Sequence, residues 1–455
     1  MAVLVDNVLW FCQCIGIWKG NGLVVDFNKY GCLTPWHEMY IQPTGKIKSC
    51  CAAFTDTEFT SEKSMAENFN HEHYRSMRRD MIAGLPPKGC AGCYEKEEQF
   101  GYSLRLYRNS NRYLDKLGTI DKDDQLLFDL DAYKQTFTEI QDPKQLKVLK
   151  IDFSNGCNLR CPMCSPRKST SWFKDKLAID AEGLLDNITL PGRPGFTYTP
   201  FSQIKAPLTT ELMEEYSRTI PTEWIDENLE ILLNLSSIEV SGGEPFFHPQ
   251  FLYLLDKLIE AEWKGTLRII TNLTLITSKH ITKLTHFKQV NIIASIDACG
   301  KLHEYIRPSV PVGKYNWKDI ENTIISLNTM NNLSLNLNFV SQALNFYNTE
   351  EWFAFLERIG IRKGNGFNVL SKPQWLRTNV FPDQDEKKKL ALKLTDRYTG
   401  TPYEDAVKIF SNQFNQPHNP DDWRAFCIYM NFLDRQRKTS IMDYIPEFER
   451  HWIYE

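Results

Sequence analysis

From residue 147 onward, short apolar segments rich in β-branched residues alternate with stretches of helical periodicity. Each apolar segment predicts a strand, and helical patterns separate them; residues 249–263, for example, place Leu252, Leu255 and Leu258 on one helical face. Six strands joined by helices predict an α/β fold with a parallel sheet and right-handed crossovers. The predicted strands are residues 147–153, 237–241, 266–271, 290–296, 333–340 and 367–370.

Three cysteines follow the first of these strands. The strand ends at the turn signal Asn155-Gly156, and Cys157, Cys161 and Cys164 then form a C-x3-C-x2-C array. Three thiolates on one loop can converge on a metal centre, but a closed tetrahedral site has four ligands. An iron–sulfur cluster held by three cysteines would leave one iron free to bind another molecule. Buried apolar packing and a zinc site are the alternative interpretations.

Polar residues also follow the next predicted strands. The segment Ser241-Gly242-Gly243-Glu244-Pro245 comes after the second strand, where glycines let a ligand approach the backbone and a carboxylate can accept a hydrogen bond from an ammonium group. Each such feature taken singly is typical of a turn or a strand cap. The glycine-rich segment gains weight from its position one strand after the cysteine loop. The remaining candidates after the third and fourth strands are Asn272, Ser295, Asp297 and Arg307.

The cysteine array on the loop after the first strand resembles the signature of the radical S-adenosylmethionine (radical SAM) superfamily. The resemblance implies a partial (β/α)6 TIM-like barrel, with a 4Fe–4S cluster on the three cysteines and S-adenosylmethionine on the open iron. It places Gly242, Gly243 and Glu244 at the methionine amino group, and Ser295 and Arg307 at the ribose and carboxylate. Met163 stands where an aromatic residue usually abuts the adenine, and Asn338 and Val340 flank the same ring. Asn272 and Asp297 complete the family's strand-end pattern.

The resemblance also implies an activity. An electron from the cluster splits S-adenosylmethionine into methionine and a 5′-deoxyadenosyl radical, which abstracts hydrogen from a substrate. The strand-end pattern and the cysteine-rich N-terminal module described below resemble those of peptide-modifying members. We therefore expect a peptide or protein side chain as substrate and an external reductant such as a flavodoxin or ferredoxin. The sequence does not identify a catalytic residue for the substrate step, although Cys299 is a candidate hydrogen donor or an ordinary buried cysteine.

A second group of cysteines lies near the N-terminus, where seven of the twelve precede residue 100. A predicted hairpin carries Cys32 near one end and Cys50-Cys51 near the other, and Cys90 and Cys93 form a C-x2-C knuckle. Four thiolates suit zinc and a 4Fe–4S cluster equally. The pattern resembles the twitch and SPASM auxiliary domains of radical SAM enzymes, which carry additional 4Fe–4S clusters. Here the module precedes the barrel. Cys12 and Cys14 are interpreted as part of an apolar segment.

These assignments divide the chain into four parts. They are an auxiliary 4Fe–4S domain over residues 1–117, a linker over 118–146, the barrel over 147–375 and a helical C-terminal extension over 376–455. The long connection over residues 165–221 contains Pro191 and Gly192 and is interpreted as a lid or a substrate-contacting loop.

Charge and hydropathy narrow the possible partners and the expected location of the protein. The formal net charge of −4 predicts no nucleic-acid partner, and no apolar run is long enough to cross a membrane. Without a basic region before an apolar core at the N-terminus, the chain is expected in the cytoplasm, where cysteines serve metal or redox chemistry rather than disulfides. The alternatives are a zinc protein that contacts nucleic acid or protein, an iron–sulfur electron carrier, and a radical SAM enzyme acting on a small molecule.

Overall fold

The structure, a computed structural model, describes residues 29–53, 59–60, 64–100, 103–109, 138–187, 206–361, 367–370, 372–414, 418 and 420–454. Several sequence predictions therefore lie wholly or partly outside the described residues. They concern Cys12 and Cys14, parts of the 1–117 domain, most of the 118–146 linker, and the Pro191–Gly192 part of the long connection.

The described strands form one nine-stranded sheet. Its order is β3-β2-β1-β4-β5-β6-β7-β8-β9, and all neighbours from β1 through β4 to β9 are parallel, whereas β2 and β3 are antiparallel additions at one edge. The strands are β1 Glu38–Ile41, β2 Lys46–Lys48, β3 Phe59–Thr60, β4 Val148–Asp152, β5 Ser237–Ser241, β6 Thr266–Thr271, β7 Gln289–Ser295, β8 Leu333–Ser341 and β9 Phe367–Val369.

The α/β fold predicted from the six apolar segments is confirmed. Strands β4 to β9 are those segments, in sequence order and in parallel register, with bounds that differ from the prediction by one residue at most at each end. Their order equals their order in the chain, as expected when each strand is followed by a helical crossover to the next position. The carboxyl ends of all six strands therefore meet at one edge.

Helices cover the sheet and extend beyond it. The crossover helix Pro249–Glu260 begins with proline at its first turn and buries Phe251, Leu254, Leu255 and Leu258 as one apolar stripe. The α-helices are Thr34–His37, Met65–Phe69, Glu72–Ile82, Ala91–Phe100, Leu104–Arg108, Phe173–Ala181, Leu184–Asn187, Thr210–Tyr216, Thr222–Glu227, Leu229–Leu233, Pro249–Glu260, Ser278–Leu284, Gly300–Ile306, Trp317–Asn328, Thr349–Ile359, Gln384–Tyr398, Glu404–Phe414 and Pro420–Arg437.

The N-terminal hairpin belongs to the same sheet as the barrel strands. β1 pairs in parallel with β4, with Tyr40 opposite Lys150, and the Tyr40 hydroxyl donates to Asp152 Oδ2 at 2.7 Å. Alternation along β4 places Leu149 and Ile151 in the apolar core and Lys150 and Asp152 on the opposite, polar face. The cysteine-bearing hairpin is thus continuous with the strand that leads into the C-x3-C-x2-C loop.

One hydrophobic core connects the N-terminal hairpin, the barrel strands and the C-terminal region. It includes Met39 of β1, the inner residues of the barrel strands, and Phe426 and Phe448 of the C-terminal region. The C-terminal helices are therefore packed into the main core rather than appended to it. No helix in the described part of the chain is long and apolar enough to span a membrane.

The buried histidines His37 and His303 make the stability of the fold depend on pH. Burial lowers the pKa of His37 to about 4 and that of His303 to about 3, with Lys147 and Arg307 respectively adding to the shift. Both pKa values lie below the unfolded value of about 6.5. Their contribution to stability is therefore full above pH 6.5 and is lost progressively as the pH falls below it.

We expect the unfolding free energy to fall by about 1.4 kcal/mol per pH unit for each of these histidines below pH 6.5. Urea unfolding at pH 7, 6 and 5 measures this slope. His303→Phe keeps a ring against Trp317, which packs 5.2 Å from His303, and should flatten the slope by one histidine's share. An unchanged slope would mean that His303 is protonated in the folded protein.

Candidate functional site

A cavity lies at the carboxyl ends of the barrel strands. The three cysteines of the loop after β4 line it together with residues from the ends of β5 to β9. Ten of the residues predicted from the sequence share this cavity: Cys157, Cys161, Met163, Cys164, Gly242, Gly243, Asn272, Ser295, Arg307 and Val340. Asn338, the other residue predicted beside the adenine, also lines it.

Cys161 is buried and Cys157 and Cys164 are half-buried, and removal from water raises the pKa values of all three thiols, that of Cys164 to about 12. Arg307 Nη1 lies 3.8 Å from Cys161 Sγ and opposes the shift there. Thiols of this kind stay protonated until a metal displaces the proton. In the part of the chain that the structure describes, no three cysteine, histidine or carboxylate side chains stand close enough together to hold a single metal ion.

The Gly242-Gly243 turn packs directly against the start of the cysteine loop. Both residues have positive φ angles, 80° and 50°. A Cβ atom on Gly243 would lie 2.0 Å from the Gly156 carbonyl oxygen, and the Glu244 amide donates to that oxygen at 2.9 Å. Only glycine allows this approach, and it leaves backbone groups of the turn beside the thiols.

Glu244 has its carboxylate turned toward the protein. It accepts hydrogen bonds from the Asn272 amide at 2.7 Å, the Thr271 hydroxyl at 2.7 Å and the Phe246 amide at 3.2 Å. Burial raises its pKa to about 7 although these donors oppose the shift. The carboxylate thus joins the turn after β5 to the end of β6. Its predicted contact with an ammonium group stays a prediction.

Asp297 forms a salt bridge with Arg307 and holds its guanidinium in place beside the cavity. Its fully buried carboxylate accepts from Arg307 Nε at 2.8 Å and pairs with Nη2 at 2.7 Å, while its other oxygen accepts from the Val340 amide at 3.1 Å. The Asp297 carboxylate therefore fixes both a cation and the end of β8. Arg307 keeps its Nη1 toward the thiols.

Asn272 links two predicted parts of the site. Its side-chain amide nitrogen donates to Asn158 Oδ1 at 3.1 Å and lies 3.9 Å from Cys157 Sγ. The end of β6 is thereby attached to the cysteine loop. This explains why the strand-end asparagine belongs to the site.

Lys168 and Asn368 are polar lining residues that the sequence analysis did not single out. Lys168 places its ammonium 3.4 Å from Asp152 Oδ2, and the Asp152 carboxylate also accepts from Ser241 and Tyr40. Asn368 on β9 donates to Asn338 on β8, and its own Oδ1 is buried and makes no hydrogen bond within the described chain. The signal for Asn368 was its place at the end of the sixth strand; nothing in the sequence marked Lys168.

The N-terminal cysteines form a second group. Burial raises the pKa of Cys50, with further contributions from Cys51, Cys93 and Cys90, and the pKa of Cys90 is raised by burial and then by Cys32 and Cys93. The four predicted cysteines therefore lie within electrostatic range of one another. Cys51 acts on Cys50 and also on Lys150 and Tyr40, which places its thiol toward the polar face of the sheet.

The other described cysteines are separate from these groups. Cys299 is buried at the start of the helix Gly300–Ile306, where its amide donates to Asn348 Oδ1 at 2.7 Å, and Cys427 is fully buried in the C-terminal helix. The described cysteines are not joined in disulfides.

The comparison with solved structures finds similarities at low sequence identity. The structure entitled "Native anSMEcpe with bound AdoMet and Cp18Cys peptide" is 16% identical, with a TM-score of 0.35, over 58% of this chain and 61% of that chain. Streptococcus suis SuiB, solved with S-adenosylmethionine, is 14% identical, with a TM-score of 0.35, over 80% of this chain and 69% of that chain.

Comparison with protein families gives a firmer result. No curated protein matches the chain. The stretch that contains β5, β6 and β7 together with the cysteine loop and Arg307 does match a family model. Residues 151–331 match the model described as the Radical SAM superfamily.

Proposed function

We propose that this protein is an enzyme that cleaves S-adenosylmethionine reductively at a 4Fe–4S cluster held by Cys157, Cys161 and Cys164. The observation that carries the proposal is the shared cavity, which three thiols line together with seven further residues predicted to contact the cofactor. When bound, the cluster and S-adenosylmethionine supply a 5′-deoxyadenosyl radical that abstracts hydrogen from the substrate.

The chain's own residues fit this cofactor by their chemistry. The backbone of Gly242 and Gly243 is open to a ligand amino group beside the thiols. Arg307, held by Asp297, offers a fixed cation to a carboxylate, and Ser295 offers a hydroxyl to a ribose. Met163 and Val340 offer apolar contacts to an adenine ring.

We propose a second 4Fe–4S cluster on Cys32, Cys50, Cys90 and Cys93. Cys50 is favoured over Cys51 because it interacts electrostatically with Cys90 and Cys93, whereas Cys51 is also close to Lys150 and Tyr40. The group would make residues 1–117 an auxiliary domain of the twitch or SPASM type, placed before the barrel. It would relay electrons or bind substrate.

The substrate that we propose is a peptide or protein side chain, in the cytoplasm, with a flavodoxin or ferredoxin as reductant. Support comes from the strand-end residues Thr271-Asn272, Ser295-Ile296-Asp297 and Arg307, which resemble those of peptide-modifying members. The neighbouring amides of Asn338 and Asn368 add hydrogen-bonding groups of the kind that a peptide can use.

The test is anaerobic reconstitution with iron and sulfide, followed by incubation with S-adenosylmethionine and dithionite. We expect 5′-deoxyadenosine and methionine in equal amounts, measured by chromatography. Zinc without iron in the purified protein, or an iron–sulfur protein that leaves S-adenosylmethionine intact, would contradict the proposal.

The same assay separates the substrate classes. Cytosolic peptide and small-molecule fractions are added separately, and we expect the peptide fraction to increase 5′-deoxyadenosine formation. An increase with the small-molecule fraction alone would contradict the peptide substrate while leaving the cleavage activity in place.

A further inference from the structure

The backbone of the cysteine loop is anchored at every carbonyl from Cys157 to Pro162. Each of these six consecutive carbonyl oxygens accepts a hydrogen bond from a group outside this segment. The donors, in the order of the acceptors, are Ser171 Oγ, the Val310 amide, Ser169 Oγ, Arg437 Nη2, Trp172 Nε1 and the Tyr429 hydroxyl.

Two of these donors come from the C-terminal helix Pro420–Arg437. The Tyr429 hydroxyl donates to the Pro162 carbonyl at 2.7 Å across 267 residues of sequence, and Arg437 Nη2 donates to the Arg160 carbonyl at 2.8 Å. Both side chains are more than nine-tenths buried. They contact the loop on either side of Cys161.

Arg437 is itself held in place. Its guanidinium pairs with the buried carboxylate of Asp175 at 2.7 Å, and Arg160 Nη1 pairs with the other oxygen of that carboxylate at 3.1 Å. The guanidinium also lies over the Trp172 ring, 5.5 Å from its centroid. A planar cation with partners on several sides has little freedom to release the Arg160 carbonyl.

The anchored carbonyls decide where the amides of the loop point. In a trans peptide the N–H points opposite to the C=O of the same peptide unit. Because the Arg160 and Pro162 carbonyls face the C-terminal helix, the Cys161 and Met163 amides point away from it. The Cys161 amide hydrogen-bonds the thiol of its own residue and opposes the rise in the pKa of that thiol. Hydrogen bonds to the sulfurs are among the factors that set the reduction potential of an iron–sulfur cluster.

We propose that Tyr429 and Arg437 are positioning residues for the cluster site, holding the Cys161 and Met163 amides toward the bound cluster. The inference rests on the proposed function, since it assumes a cluster on Cys157, Cys161 and Cys164. N–H dipoles near the cluster favour its more negative, reduced form. Loss of an anchor should therefore make reduction harder and the cluster easier to remove.

The test compares Tyr429→Phe with a matched control in the full-length reconstituted protein. The variant removes only the hydroxyl, because its ring still packs against Trp375 at 5.5 Å. The control is Tyr305→Phe, which removes a buried hydroxyl that donates to Asp434 of the same helix at 2.9 Å but does not touch the cysteine loop. Arg437→Lys keeps the charge and loses the guanidinium fork, and it provides a second, independent variant.

Two quantities are measured for the cluster whose electron paramagnetic resonance signal changes when S-adenosylmethionine is added. They are its midpoint potential and its rate of iron loss. For Tyr429→Phe and Arg437→Lys we expect a midpoint potential more negative than in Tyr305→Phe. We also expect iron loss to a chelator to be faster by about two- to tenfold, the range that one lost hydrogen bond gives. Values equal to those of Tyr305→Phe would overturn this inference alone. A protein without any cluster that responds to S-adenosylmethionine would overturn the proposed function as well.

Discussion

Replacing Cys157, Cys161 and Cys164 together with alanine should abolish 5′-deoxyadenosine formation and leave about half of the iron in the reconstituted protein. The three thiols line the cavity at the strand ends, whereas the N-terminal cysteines group around Cys50 and Cys90. Each cluster needs its own thiolates, so removal of one set should spare the other. Iron and sulfide analysis gives the first quantity, and chromatography of the reaction gives the second.

The matched control is Cys427→Ala, which removes a fully buried cysteine that belongs to neither group. It should keep all the iron and the cleavage activity, with a loss of stability from the cavity that it leaves. If the triple variant kept all its iron, the core cluster could not be on these cysteines. If it lost all its iron, the N-terminal group would not hold a separate cluster.

The barrel and most of the cavity follow from local sequence signals. The apolar segments predicted β4 to β9, and parallel order then brought Gly242, Asn272 and Ser295 to one edge, although they are far apart in the chain. The reasoning succeeds because topology alone decides which residues lie at the carboxyl ends of parallel strands.

The supporting contacts were not predictable in the same way. Glu244 and Asp297 were recognised as site residues, but their carboxylates accept hydrogen bonds from protein groups at the ends of β6 and β8. A motif gives the residue type and its place at a strand end, whereas the direction of a side chain depends on the donors that packing brings to it. Those donors come from residues distant in the chain, so the local sequence does not predict them.

The long-range packing contacts also could not be predicted from the sequence. The C-terminal extension showed only helical periodicity, yet Tyr429 contacts Pro162 across the domain. Likewise, the parallel pairing of β1 with β4 joins the N-terminal hairpin to the barrel sheet. Neither contact has a local signal, because each depends on which surfaces remain uncovered once the barrel has formed.

Gly243→Ala should weaken S-adenosylmethionine binding at least tenfold and destabilise the protein more than alanine at an unconstrained glycine. The new Cβ would lie 2.0 Å from the Gly156 carbonyl oxygen and 2.9 Å from the Asn155 carbonyl carbon, and both atoms are backbone. Backbone atoms cannot relieve this clash by a change of rotamer, as a side chain could. Either the glycine turn or the start of the cysteine loop must therefore move. Equilibrium dialysis with the reconstituted protein measures binding, and thermal unfolding measures stability.

The control separates this clash from the strain of a positive φ angle. Gly400 has φ 76°, and a Cβ there would meet nothing within 4 Å. Gly400→Ala should therefore cost only about 1–2 kcal/mol, the strain of a left-handed residue, and leave the affinity unchanged. Equal effects of the two substitutions would mean that the turn can move away from Gly156 without harm, and that contact between the two loops is not what shapes the cofactor cavity.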